Sequence, residues 1–169
     1  MGQYHYLVNL DKKQIIHPCQ IGNGMKLREQ IGWHYSTATA LVMLLAASNK
    51  EGGRGGGDFR VNHPLLGSWA GDRIAFVGDY AASTDLPGLD APLIYEQCKA
   101  VCDSAPKGDP PPDWEQWTNI STQVREMLAA EFHIRYGDKG WCDIVQRKNK
   151  NTTPKLCPDM VITRAAKLN

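Results

Sequence analysis

The chain has 169 residues, enough for one domain that spans residues 1–169 and buries a core of ordinary size. Its 42% hydrophobic and 22% charged residues are close to globular averages, which argues against a disordered or membrane-embedded protein. A net charge of +1 argues against strong nucleic-acid binding by bulk electrostatics, although a local basic patch is compatible with it.

The N-terminal segment predicts a β-hairpin. Residues 4–10 are rich in aromatic and β-branched side chains, which favour a strand, and residues 14–17 predict the returning strand. Asp11 begins the turn between them, because an aspartate side chain caps turn backbone. Pro18 ends the hairpin, because proline lacks the donor that a ladder needs.

A helix is predicted from Ser36 or Thr37, either of which can cap it, to about Ser48. Its apolar residues fall on every side, which indicates a helix buried on most faces. We therefore expect it to cover one face of a sheet as the central helix. Residues 51–58 follow with five glycines and predict a surface loop.

The stretch 67–80 predicts a turn at residues 70–72 and then a strand that is apolar on both faces. Ile74 and Phe76 point to one side of this strand, and Ala75 and Val77 point to the other. A strand with two apolar faces is usually covered on both, so we expect it in the centre of the sheet.

Two further helices are predicted, over residues 93–103 and 114–136, followed by strands at residues 141–146 and 159–163. Strand pairs flank a helical middle, which favours an α+β fold over a doubly wound one. The sequence predicts a single domain with a mixed, mostly antiparallel sheet, a buried central helix and two further helices.

Two groups of residues suggest ligand chemistry. The glycine-rich loop could wrap a phosphate, with Arg54 adding charge, but it lacks any phosphate-loop motif and a surface loop is the preferred interpretation. A second group could converge to hold Mg²⁺ or Mn²⁺ or to supply acid–base chemistry; it comprises Asp58, Asp72 and Asp79 with either His63 or His17. The competing interpretation makes Asp72 a turn residue and Asp79 a cap at the end of the strand.

Five cysteines are present, an odd number, and the N-terminal segment does not have the pattern of a secretory leader. These features predict a cytoplasmic protein with reduced thiols. Cys98 and Cys102 share a helical face and could contribute to a zinc site, but buried core cysteines are the preferred interpretation. No complete catalytic motif is found, so no cofactor is predicted and the balance is against an enzyme.

Trp69 lies in a loop between glycines, and an exposed tryptophan is a favoured anchor for a protein partner. The alternative is that this indole is part of the core. We expect Trp69 to contribute to an interface or a ligand site.

Several segments of the first 82 residues resemble a family of small uncharacterised proteins found in bacteriophages, prophages and bacterial genomes. They are Met1-Gly2-Gln3-Tyr4, residues 7–13, His17-Pro18, residues 24–27, residues 67–74 and Gly78-Asp79-Tyr80. The resemblance implies a cytoplasmic protein of a phage or mobile element, and it implies no activity and no catalytic residues.

Two hypotheses of function follow. The first is an accessory protein that binds a host protein, for example as an inhibitor of a host defence complex. The second is binding of a nucleotide or other phosphorylated small molecule by the glycine-rich loop with Asp72 and Asp79, for sequestration or metal-dependent hydrolysis. A structural or assembly component is a third possibility, and the sequence leaves the oligomeric state open.

Overall fold

The computed structural model describes residues 3–31, 36–47, 58–102, 116–132, 135–136 and 142–143. The strands of its main sheet are β1 His5–Asn9, β2 Gln14–Ile16, β3 Ile74–Gly78 and β4 Thr118–Asn119, and a second small ladder joins β5 Arg135–Tyr136 to β6 Cys142–Asp143. The helices of the described part are α1 Leu27–Ile31, α2 Thr37–Leu44, α3 Ala91–Cys102 and α4 Ser121–Phe132. The fold is α+β, as predicted.

The main sheet is mixed and mostly antiparallel. Its order is β3-β1-β2-β4; β1 pairs antiparallel with both neighbours, and β4 pairs parallel with β2. The predicted N-terminal hairpin is confirmed, with Leu7 opposite Ile16. Asn9, not Asp11, caps its turn: the Asn9 side-chain oxygen accepts from the backbone N–H groups of Asp11 at 3.0 Å and Lys12 at 2.9 Å.

The strand predicted to be central, β3, lies at the edge of the sheet, so that prediction was wrong. β1 is the strand with neighbours on both sides, and all five of its residues are buried. In β3 the first three residues are only half-buried, because no described strand lies beyond it. Both strands are apolar on both faces, so side-chain pattern alone does not distinguish them.

Helices cover both faces of the sheet. The cluster on the face of α2 and α4 includes Leu7, Ile16, Met43, Val124 and Leu128. The cluster on the face of α3 includes Tyr6, Val8, Ile15, Val77 and Ile94. Successive residues of β1 and β3 alternate between the two clusters, as the two-residue period of a strand requires.

Helix α2 begins where the sequence predicts, and the Ser36 hydroxyl caps it by accepting from the Thr39 N–H at 3.2 Å. Seven of its eight residues are buried or half-buried, and Val42 is the exposed one. Ala40, Met43 and Leu44 are fully buried, whereas Val42 is 59% exposed. The side of the helix that faces solvent is therefore narrow and centred on Val42.

Helix α4 begins at Ser121, later than the predicted start at residue 114. Residues 118 and 119 pair with β2 instead, and the Asn119 side chain accepts from the Ser121 N–H at 3.0 Å. Val124, Met127 and Leu128 form the buried side, as the apolar spacing indicates. The strand predicted at residues 159–163 lies outside the described residues, as does most of the one predicted at residues 141–146. Within the described part, every helix is too short or too polar to span a bilayer.

Candidate functional site

The segment from Gly67 to Asp72 joins the end of α2 to the start of β3. The backbone N–H of Gly67 donates to the Met43 carbonyl at 2.9 Å, and that of Trp69 donates to the Leu44 carbonyl at 2.9 Å. These bonds satisfy carbonyl groups that a helix leaves unpaired at its C-terminal end. A turn then closes with the Asp72 N–H donating to the Trp69 carbonyl at 3.1 Å, so the predicted turn is confirmed.

Trp69 is a core residue, with 0% of its surface exposed. Its indole Nε1 donates to the Gln14 side-chain oxygen at 2.6 Å, which satisfies the one polar atom of the ring. The expectation that Trp69 anchors a partner was wrong, because a buried indole offers no surface. A tryptophan between two glycines suggested an exposed loop, but here the glycines let the backbone bring the ring into the core.

Asp72 belongs to a network that we call the hairpin clamp: Asn9, Asp11, Lys12, Asp72 and Arg73. The Asp72 carboxylate accepts from the Asn9 side chain at 2.7 Å and pairs with the Lys12 ammonium, while Arg73 Nη2 lies 2.7 Å from the Asp11 carboxylate. Hydrogen bonds from Lys12 and then Asn9 lower the pKa of Asp72. Backbone and side-chain hydrogen bonds from Arg73 lower the pKa of Asp11. The clamp holds the β1–β2 turn against the segment before β3.

The acidic residues that could have formed a metal or catalytic site do not converge. Asp79 accepts from the Tyr4 N–H at 3.1 Å at one end of β3, and Asp72 lies beyond the other end, roughly 20 Å away at about 3.3 Å per strand residue. Asp58 is exposed, and the His63 ring nitrogen Nδ1 accepts from the Leu65 N–H at 3.2 Å. Among the described residues, no three His, Cys, Asp or Glu side chains form a group that could hold a metal ion. Arg54 and the glycine-rich loop lie outside the described residues.

Cys98 and Cys102 are in no disulfide and are buried on the inner side of α3, in agreement with the core interpretation. Burial raises the pKa of the Cys98 thiol far above its usual range. A thiol held in this form is a poor metal ligand and a poor nucleophile, because both roles need the thiolate. These two cysteines therefore contribute packing.

The open edge of β3 is the feature that sequence reasoning missed. The Leu10 N–H donates to the Arg73 carbonyl at 2.9 Å and the Asp79 N–H donates to the Tyr4 carbonyl at 3.0 Å. In an antiparallel ladder the residues between these pairs alternate, so Ala75 and Val77 face β1 while Ile74, Phe76 and Gly78 direct their backbone groups away from it. Within the described part of the chain, no hydrogen bond reaches Ile74 or Phe76 from that outer side.

A pocket of about 160 Å³ lies at the Gly78 end of this edge. Its walls include Phe76, which packs against one cluster, and Leu86 and Ala91 from the other. Tyr80, 63% exposed, stands at its rim. We call the outer backbone of β3 together with this pocket the edge site.

His5 belongs to the polar part of the pocket wall, together with Gln3 and Asp85. Only 8% of its surface is exposed, and its Nδ1 atom is buried with no hydrogen-bond partner in the described structure. The ring packs directly on Gly78: a Cβ atom there would lie 2.8 Å from His5 Nε2. Glycine at this position therefore lets the imidazole pack against the strand.

One sequence signal was available for the edge site. Sheet edges are commonly protected by charged residues, proline or bulges, and the five residues of β3 include no charge and no proline. This absence suits a central strand equally well, so it becomes informative only once the strand order is known.

Comparison with known proteins assigns the chain to no family. No protein-family model matches the chain, and no curated protein and no solved structure matches it either.

Proposed function

We propose that this chain is a non-enzymatic accessory protein of a phage or mobile element that acts by binding a host protein, as an inhibitor of a host defence complex does. The observation that carries the proposal is the outer edge of β3, which no other strand in the described part of the chain covers. Unpaired backbone groups on a strand edge are a template for pairing with another chain. The phage setting comes from the resemblance of the first 82 residues.

The polar residues considered for catalysis support a binding role more than a chemical one. Asp72 and Asp79 each hold backbone or side-chain partners that stabilise the fold, and they are separated by the length of β3. The alternative, a nucleotide or phosphorylated ligand bound by the glycine-rich loop with these two aspartates, depended in part on the convergence of the aspartates. That geometric support is lost, so protein binding is the function that we put forward.

Photo-crosslinking in a host extract tests the proposal. A photoreactive phenylalanine analogue replaces Tyr80, whose ring is exposed at the edge site, and in a matched control it replaces Thr122, which is exposed on α4. We expect one discrete host protein crosslinked through position 80 and not through position 122. If no host protein is enriched by the intact chain at either position, the proposal is wrong.

A thermal-shift screen against nucleotides and divalent metals tests the alternative. A ligand at about a hundred times its Kd adds about 2.7 kcal/mol, which moves the Tm of a domain this size by several degrees. We expect no shift. A clear shift that Asp72→Ala or Asp79→Ala abolishes would favour the small-molecule function instead.

A further inference from the structure

We infer that the edge site binds an extended segment of the partner protein as an added fifth strand beside β3, with one apolar side chain of that segment seated in the pocket. The inference rests on the proposed function and specifies how the partner is recognised. It follows from three features: the outward backbone groups of β3, which no described residue satisfies, the size of the pocket, and the direction of the β3 side chains.

The backbone of β3 offers a set of groups that only another extended chain can satisfy together. The N–H and C=O of Ile74 and of Phe76 point outward, with the N–H of Gly78 beside them. The Gly78 carbonyl already accepts from the Ala81 N–H at 3.1 Å, so pairing ends there. This spacing matches strand addition, in which main-chain hydrogen bonds supply affinity and side-chain pockets supply specificity.

The pocket is the size of a single side chain. Its volume is about 160 Å³, whereas sites for drug-sized ligands and cofactors occupy about 300–1,000 Å³. A cavity of about 150 Å³ accepts benzene. Phe76, Leu86 and Ala91 supply the apolar part of the wall, which an aromatic ring or a branched aliphatic group can contact. Gln3, His5 and Asp85 supply the polar part. The pocket therefore selects one residue of the added strand, next to Gly78.

A second copy of this chain fits the edge less well. If two β3 strands paired antiparallel about Phe76, Ile74 of one copy would lie opposite Gly78 of the other. The Ile74 side chain packs against its own core cluster, so it is not available to enter the pocket. The pocket thus needs a side chain that β3 itself does not supply.

Hydrogen exchange of the full chain, followed by NMR at several protein concentrations, tests whether the edge is free. We expect the amides of Ile74 and Phe76 to exchange rapidly and those of Ala75 and Val77 to be protected. Slow exchange of Phe76 at every concentration would mean that the chain itself covers the edge. Protection that grows with protein concentration would assign the edge to a second copy. Either result overturns the inference.

Titration with synthetic nine-residue peptides tests the recognition. The probe alternates threonine and valine and carries phenylalanine at its centre; matched peptides carry alanine or proline there. We expect the phenylalanine peptide to slow exchange at Ile74 and Phe76 and to bind at least tenfold more tightly than the alanine peptide. The proline peptide should not bind. Equal binding of all three, or no change at the edge amides, contradicts the inference.

Variants of the chain separate this inference from the proposed function. Ile74→Pro removes an outward donor, and Ile74→Val keeps it, so we expect at least tenfold weaker peptide binding by the proline variant than by the valine variant. Ala81→Leu fills the pocket without altering the strand, and Thr122→Ala on α4 serves as the remote control. A host protein that still binds Ile74→Pro and Ala81→Leu normally would leave the proposed function standing and overturn the edge site.

Discussion

At the scale of single residues, most of the side chains that attract notice in the sequence turn out to stabilise the fold. Trp69 fills the core and Asp72 bonds to the β1–β2 turn. Residue type predicted that these positions matter, but it could not separate a partner anchor from a core anchor. Whether Trp69 lies in the core or at the surface depends on the backbone conformation on either side of it, which Gly67 and Gly71 adopt with positive φ.

The two glycines give a matched pair of substitutions. Both have positive φ, +71° at Gly67 and +89° at Gly71, a region that costs an alanine roughly 1–2 kcal/mol. A Cβ at Gly67 would also lie 2.7 Å from the Ala46 carbonyl oxygen, whereas one at Gly71 meets no atom within 4 Å. We expect Gly67→Ala to lower the free energy of unfolding by at least about 1 kcal/mol more than Gly71→Ala, since overpacking costs about 1–3 kcal/mol. Urea denaturation measures both; equal losses would contradict the steric argument.

Cysteine labelling is predicted to separate exposed from core thiols. Cys19 is exposed, while Cys98 is buried with a strongly raised pKa. Iodoacetamide should therefore modify Cys19 in the folded protein and reach Cys98 only when the chain unfolds, because the thiolate is the reacting species. Burial, and then the nearby Glu29 charge, also raise the pKa of Cys19, so its labelling should accelerate as the pH rises. Peptide mass spectrometry with and without urea shows the order in which the two cysteines are alkylated. Modification of Cys98 in the folded protein would show that α3 does not pack closely on the sheet.

At the scale of elements, local chemistry predicted the hairpin and the starts of helices better than their surroundings. The aromatic and β-branched side chains of β1, the turn before β2 and the Ser36 cap are each local signals that act within a few residues. The late start of α4 could not be anticipated, because Thr118 and Asn119 are drawn into pairing with β2, which is distant in the chain. The exposure of Val42 likewise depends on which elements pack against α2.

The hairpin clamp predicts a loss of stability in acid. The pKa values of Asp11 and Asp72 are lowered in the folded chain, so both carboxylates stabilise it above about pH 4, the ordinary range of an aspartate. That contribution is lost as the pH falls through the lowered folded values. We expect the Tm of Asp72→Asn to fall less steeply than that of the unmodified protein between about pH 5 and pH 2.

Salt provides the control for this prediction. The four charged side chains of the clamp are partly exposed, and at 1 M salt the Debye length shrinks to about 3 Å. The difference between Asp72→Asn and the unmodified protein in how steeply the Tm falls with pH should therefore become smaller in high salt. Identical pH profiles at low salt would show that the clamp does not contribute to stability.

At the scale of the whole molecule, the order of the strands in the sheet could not be predicted from the sequence. β1 and β3 carry nearly the same apolar pattern, and only pairing with β2 on the far side makes β1 the central strand. The α+β class was predictable because it depends on the succession of elements. The edge site was not, because an edge is a property of neighbours and not of a segment.

The shared sheet predicts a single unfolding transition for the described part of the chain. Met127 belongs to the cluster on one face and Ile94 to the cluster on the other, and β1 and β3 contribute to both. We expect Met127→Ala and Ile94→Ala each to cost about 2–5 kcal/mol and to shift the whole transition together. Circular dichroism and tryptophan fluorescence should give coincident urea curves for both variants. Separate transitions would mean that the two faces unfold independently.

The pairing of β1 with β3 also has a consequence for synthesis. Residues 5–9 must wait for residues 74–78 before their second ladder can form. At about 5–20 residues per second, the nascent chain spends several seconds with the hairpin made and the other side of β1 bare. Contacts between such distant positions also slow the final collapse. The nascent chain thus has a second, transient strand edge on β1 that is absent from the folded protein. We therefore expect misassembly and chaperone binding during translation more than after folding is complete.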